Sequence, residues 1–278
     1  EVRKPLLYND TGNKRFTIGF DPARSRDNSV ITVGEIYDFE QVDGTIDKRM
    51  RIVNCVNLID VGKKIKSPMQ TPDQVKYLKQ LILDYNGGAD NYDNIVGVYI
   101  DAGSGGAGVN IADYLMEDWV DDKGIVHRGL IDKEYSAEYV KKFPNAVNKL
   151  HLMAPAAYKS EMYEAMIELM NQDKISFTAS YDNKDYLSMF DIDEKLLKKE
   201  KTRIASELKK QKLNEEEFEK QFREELSKVQ SVKTKIVKLD WADKLALTNI
   251  DALKEELVNM VRKKRESGKD SFELTPEK

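Results

Sequence analysis

The chain has 278 residues, 40% hydrophobic and 34% charged, with 45 Lys and Arg against 49 Asp and Glu for a formal charge of −4. That length can bury a real core as one large domain with an insertion, or as two domains, and the excess of charge calls for a strongly solvated helical part. A single cysteine (Cys55) and two histidines (His127, His151) exclude an internal disulfide and a structural zinc site, and no apolar run spans a membrane.

In chain order, residues 1–15 are polar, begin at Glu1 without an initiator Met as an excised or processed chain would, and carry the turn-like Asn9-Asp10-Thr11-Gly12-Asn13; they read as a linker or entry arm. Arg15 to Asp21 predicts a strand, ended by Pro22, which cannot donate to a ladder. Ser29 to Phe39 alternates as a second strand, and a turn at Asp43-Gly44 leads to a third, Arg49 to Ile59. Connections this short make an antiparallel meander. Cys55 sits in its apolar alternation, where an inert buried thiol is expected.

Thr71-Pro72-Asp73-Gln74 opens a helix with Thr71 as cap and Gln74 completing a capping box; Val75, Leu78, Leu81 and Ile82 share a face and Asn86-Gly87-Gly88 ends it. Ile95 to Ile100 is a short strand buried on both faces, delivering Asp101 into Gly103-Ser104-Gly105-Gly106-Ala107-Gly108, after which Val109 to Trp119 reads as a helix. Val147 to Leu152 reads as a fifth strand, Tyr158 to Asn171 as a helix with Met162, Ala165, Met166 and Leu169 on its inner face, and Ile175 to Thr178 as a last short strand.

Residues 191–235 turn abruptly to Lys and Glu. Leu197, Ile204 and Leu208 mark one helix, and Asn214 caps another with Glu217 at its third position and Phe218, Phe222, Leu226 and Val229 on its face. The reading is a helical hairpin projecting from the domain, either a solvated pair with a thin seam or a binding device. A final helix runs from a Thr248 cap to Lys263-Lys264-Arg265 with Gly268 as its stop, and the tail 270–278 holds one apolar spot at Phe272 and Leu274.

If the strand ending at Asp101 lies parallel beside the strand ending at Asp21, two carboxylates converge at adjacent strand ends. Such a pair suits a hard cation, Mg²⁺ or Mn²⁺, that keeps several waters and completes its shell with substrate phosphates. Each Asp alone is weak evidence, since an Asp at a strand end is more often a loop cap than a ligand. Gly103, Gly105 and Gly108 also match a dinucleotide fingerprint, which would make the protein an oxidoreductase. Against it stand the meander, the two residues before the first glycine and the lack of a strand-end acid at the proper distance; the glycines serve equally as a tight turn. No Gly-x-x-x-x-Gly-Lys-Ser/Thr loop is present.

The runs Ile18-Gly19-Phe20-Asp21-Pro22-Ala23, Asp27-Asn28-Ser29-Val30-Ile31 and Val98-Tyr99-Ile100-Asp101-Ala102-Gly103-Ser104-Gly105-Gly106 resemble the C-terminal nuclease domain of the large terminase subunits, the DNA-packaging motors of tailed phages. The resemblance implies an α/β, ribonuclease H-like fold over 16–190 and 236–278, with a mixed sheet of three antiparallel strands followed by parallel ones, flanked by helices and interrupted by the charged hairpin at 191–235. It implies a metal-dependent endonuclease that cuts double-stranded concatemeric DNA in the host cytoplasm, by phosphodiester hydrolysis with metal-activated water and two Mg²⁺ or Mn²⁺ ions.

Carried over residue by residue, Asp21 and Asp101 match the family's first two acidic ligands, and Asp27 a recurrent acid with a supporting or structural role. The third acid normally follows a segment like Phe272 to Lys278, where this chain stops; Asp270 comes too early in the pattern. Arg24, Arg26 and the Lys63-Lys64-Ile65-Lys66 patch are the DNA-binding candidates, with solvated loop charge as their other reading. The family's partners would be its own N-terminal ATPase domain, absent here, the portal and the small terminase subunit. The remaining alternative is a DNA- or portal-docking module with an incomplete metal site.

Overall fold

Three strands form where the alternation predicts them: β1 (Arg15–Asp21), β2 (Ser29–Glu40) and β3 (Ile46–Asp60). The turn between the last two closes with Gly44 at φ 87° and the Asp43 carboxylate accepting from Thr45. This computed structural model describes residues 4–23, 28–41, 43–60, 67–103, 107–155, 158–190, 194–211, 213–231, 234–264 and 270–274.

After β4 (Ser67–Pro68), helix α1 (Thr71–Asn86) crosses to β5 (Ile95–Asp101). Helix α2 (Ala107–Met116) leads through β6 (Trp119–Val120), β7 (Val126–His127), β8 (Leu130–Ile131), α3 (Glu138–Lys142) and β9 (Val147–Asn148) to β10 (Leu150–Met153). Helix α4 (Lys159–Asn171) then leads to β11 (Ile175–Phe177). The sheet order is β10-β5-β1-β2-β3-β11, with β4 paired to β3. Along that path β2 alone runs against the others. The chain is thus a mixed α/β fold, a meander extended by parallel strands and flanked by helices.

Strand alternation assigns the two faces. Phe16, Ile18, Phe20, Val98 and Ile100 enter the main core with Leu78 and Ile82 of α1 and Ile111 and Leu115 of α2. Thr17, Gly19, Asp21, Tyr99 and Asp101 therefore point to the opposite face. There α7 (Trp241–Val258) covers the β3 side, with Ile250 and Leu253 against Ile52 and Cys55. The connection from β10 to β11 crosses the whole sheet in the reverse direction, and the right-handed crossover rule puts α4 on this second face as well.

Several elements differ from expectation. Gln70, not Thr71, caps α1 without a side-chain bond, and the Gln74 amide donates to the Met69 carbonyl (2.6 Å) instead of closing a capping box; Gly87 ends the helix at φ 59°, as predicted. On α4 the half-buried positions are Ser160, Tyr163, Met166 and Met170, while Met162, Ala165 and Leu169 are exposed, so the inner face is rotated from the predicted one. Helix α7 begins well before Thr248: Asp240 and Asp243 form a reciprocal capping box (2.8 and 3.1 Å), and the Thr248 hydroxyl donates to Lys244 in mid-helix. The predicted last basic turn is a strand, β14 (Met260–Lys264), paired with β15 (Asp270–Leu274), because the ladder satisfies backbone groups that a fraying helix end leaves to water. Gly268 lies outside the described residues.

The charged insertion has a stem that the sequence reading lacked: β12 (Tyr186–Phe190) pairs antiparallel with β13 (Thr234–Lys238), and α5 (Glu194–Lys209) and α6 (Glu215–Ser231) grow from it. Ile204, Leu208 and Phe222 form the seam, and Asn214 and Glu217 cap α6 reciprocally, as predicted. The pair does not project freely. Lys198 meets Glu40 (3.2 Å), Arg223 meets Asp173 (3.4 Å) and Lys201 lies over the Phe39 ring.

The opening stretch, read as a linker, is stitched to the domain. Leu6 donates to Val53, the Asn9 side chain donates to Lys14 and Tyr85 and accepts from Gly12, and Lys4 pairs with the buried Asp243 at 2.8 Å.

Candidate functional site

β1 and β5 lie side by side and parallel, with Phe20 opposite Ile100, so Asp21 and Asp101 follow as the next residues at the carboxyl ends of both strands. Adjacent strands are about 4.8 Å apart, and the shared parity puts both side chains on the second face. The flanking ladder partners are Val30 beside Asp21 and Met153 beside Asp101. Asp21 is exposed and Asp101 half-buried.

Local chemistry fixes Asp101. Its Oδ1 accepts from the Gly103 amide at 2.9 Å, and the next amide, Ala102, donates to the Met153 carbonyl at 2.7 Å, closing the ladder to β10. One carboxylate oxygen thus orders the turn, and among the described residues the other accepts no hydrogen bond, so it can take a ligand. Gly108 has a different task. A Cβ there would stand 1.9 Å from the Asp101 carbonyl oxygen, so only glycine lets α2 press this closely on the strand end.

No family model, no curated protein and no solved structure matches the chain.

The structure brings Asp21 and Asp101 together and places Gly103 beside them. Asp27, Arg24, Arg26, Lys63, Lys64, Gly105 and Gly106 lie outside the described residues, and Asp270 begins β15 opposite Lys264. Among the described residues no group of three or more His, Cys, Asp and Glu side chains gathers as a metal cluster. No described helix is long and apolar enough to cross a membrane.

Sequence reasoning passed over the side chains that α4 brings to this corner. Pro155, ahead of α4, comes near the Asp101 turn, its Cδ 3.9 Å from where a Gly103 Cβ would be. Tyr163 lies within electrostatic reach of Asp21: burial first, and the Asp21 charge second, raise the phenol pKa above its ordinary value. Its ring is held by Phe272 of β15 (centroids 5.0 Å apart), and the Lys159 ammonium stands 5.8 Å from it. The available signal was the Lys159, Tyr163 spacing of one helical turn just after a strand ending level with Asp101.

Tyr99 and His151, ladder partners on the same face, stack at 4.6 Å and 16° over the space left by Gly97. Their rings lean toward Gly97, away from the carboxylates.

Proposed function

We propose that this chain is the nuclease domain of a tailed-phage terminase large subunit, ribonuclease H-like, cutting double-stranded concatemeric DNA during genome packaging. The observation that carries the reading is the meeting of Asp21 and Asp101 at the ends of neighbouring parallel strands. The sheet order supports it too: a meander with two parallel strands added beside its first strand is what the resemblance implies.

The donor set suits Mg²⁺ or Mn²⁺, since these ions accept one or two carboxylates and draw their remaining ligands from water and substrate phosphate. Asp21 and Asp101 would hold such ions, which would supply Lewis acidity and lower the pKa of water so that hydroxide is available to attack a phosphodiester. The chain contributes position. The Gly103 amide holds the Asp101 carboxylate, the parallel register keeps Asp21 alongside it, and exposure of Asp21 leaves the pair open to a polymeric substrate. The proposed setting is the host cytoplasm, with the portal, the small terminase subunit and an N-terminal ATPase domain as partners.

A docking module with an incomplete metal site is the second reading, favoured by the lack of a third acidic ligand among the described residues. The dinucleotide reading is weaker, because β1, one of the two strands beside β5, belongs to an antiparallel meander.

The test is plasmid cleavage with Mn²⁺, Mg²⁺ or EDTA by the wild-type chain and by Asp21→Asn and Asp101→Asn. Cleavage that needs the metal and is lost in both folded variants supports the nuclease. Metal-independent cutting, or full activity in both variants, overturns it, and metal binding without cleavage favours the docking module.

A further inference from the structure

We propose that Lys159 and Tyr163, one turn apart on α4, form the first docking point for the backbone of duplex DNA beside the acid pair. Lys159 pairs with one phosphate, and the Tyr163 hydroxyl donates to a phosphate oxygen of the same strand. The proposal rests on the nuclease reading and names the protein groups that admit its substrate.

The argument starts from charge. Two carboxylates on one edge repel a polyanion, so a phosphodiester that approaches Asp21 and Asp101 needs positive groups close by. Lys159 is the first residue of α4, where the helix macrodipole is also positive and a cation is disfavoured unless an anion joins it. Its side chain is exposed, and among the described residues it pairs with no carboxylate. The nearby Arg262 differs, being bonded to Glu164 at 3.0 Å.

Tyr163 supplies direction. Its ring is half-buried and packed on Phe272 at 5.0 Å, which limits where the phenol can point. The hydroxyl is not one of the buried polar atoms that lack a partner, and it makes no hydrogen bond to a described residue, so it is left to donate to solvent or to a ligand. Pro155, four residues before Lys159, lies near Gly103 of the Asp101 turn, Tyr163 is within electrostatic reach of Asp21, and the Lys159 ammonium stands 5.8 Å from the Tyr163 ring, which puts both groups at the carboxylate corner. A cation and a donor spaced by one turn match successive oxygens along a phosphate backbone, and they carry no base preference.

The experiment measures affinity of the 278-residue chain for a short fluorescent duplex, in EDTA so that no cleavage intervenes, across a salt series. Lys159→Ala is expected to weaken binding roughly tenfold at low salt and to flatten the plot of log K against log salt by about 0.9, as loss of one phosphate contact requires. Lys159→Arg restores the slope. Tyr163→Phe keeps the Phe272 contact and loses about three- to fivefold. The losses are the same on unrelated duplex sequences. Unchanged affinity and slope in both variants overturn the proposal even if Asp21→Asn abolishes cleavage, and so does a wild-type chain that binds no duplex. Loss of cleavage dependence on Asp21 with the Lys159 effect intact would instead count against the nuclease reading alone.

Discussion

Asp21 and Asp101 stand side by side on one face of the sheet, each one residue past the parallel pair Phe20 and Ile100. Like charges at neighbouring strand ends repel, and a bridging cation removes that repulsion. Asn at Asp101 should therefore leave the melting temperature of the metal-stripped protein unchanged or higher. In Asp101→Asn the amide oxygen can still accept from Gly103, so the turn survives the change. Mn²⁺ at about a hundred times its dissociation constant should stabilise the wild-type chain by roughly 2.7 kcal/mol and neither Asp21→Asn nor Asp101→Asn by a comparable amount. Melts with and without Mn²⁺ check this; a lower melting temperature in metal-free Asp101→Asn would make that carboxylate structural.

Gly108→Ala tests whether the helix must press on the strand end. The new methyl would fall 1.9 Å from the Asp101 carbonyl oxygen, which is backbone and cannot swing away, so α2 or the turn must shift. Overpacking of this kind costs about 1–3 kcal/mol. Urea denaturation should show that loss, and Mn²⁺ affinity should fall with it because Asp101 moves; a neutral substitution would mean that α2 docks more loosely than described.

The elements that place the acids were legible because their physics is local. β1, β5 and α1 carry clear apolar periods, and Pro22 and Gly87 punctuate them. What failed was written between distant segments. Two-residue strands such as β6 to β9 are too short to show a period, and β12 finds β13 only across more than forty intervening residues. The Met260 to Lys264 run suits a helix end by charge, and its pairing with Asp270 to Leu274 overrides that local preference. Asp240-x-x-Asp243 was a readable cap, although with Asp where Glu or Gln is usual. Tyr163 and Lys159 needed the crossover of α4 to become neighbours of Asp21, and no spacing in β1 announces that.

Excision of the charged hairpin tests its independence. β12 and β13 bring Phe190 and Thr234 into register, so replacing residues 191–233 with Asn-Gly should close the stem as a tight turn. The Ile204, Leu208 and Phe222 seam is separate from the main core, and the ties lost among the described residues include the exposed Lys198–Glu40 and Arg223–Asp173 pairs and the Lys201 contact with Phe39. Exposed pairs contribute about 0–1 kcal/mol each. The shortened chain should melt within a few degrees of wild type and keep its Mn²⁺ response; aggregation or loss of the response would show that the hairpin supports the domain.

Alkaline pH should weaken the fold through groups that burial keeps neutral. Desolvation raises the Cys55 thiol from its ordinary 9.0 to about 11, opposed by a hydrogen bond with Thr32 and assisted by the charge of Glu256. Burial raises Tyr85 and Tyr92 in the same direction. A pKa raised by folding contributes stability that is complete below the unfolded value and is lost as pH climbs to the folded one. For Cys55 that window runs from pH 9 to about 11, and for the tyrosines it begins near 10. A displacement of that size corresponds to roughly 2–3 kcal/mol. Cys55→Ala should therefore lose less stability than wild type between pH 9 and about 11, read from urea midpoints, while a thiol reagent near pH 8 should label the wild-type chain only as it unfolds. Parallel pH profiles for the two proteins, or rapid labelling of the native chain, would place the thiol in water rather than between β3 and α7.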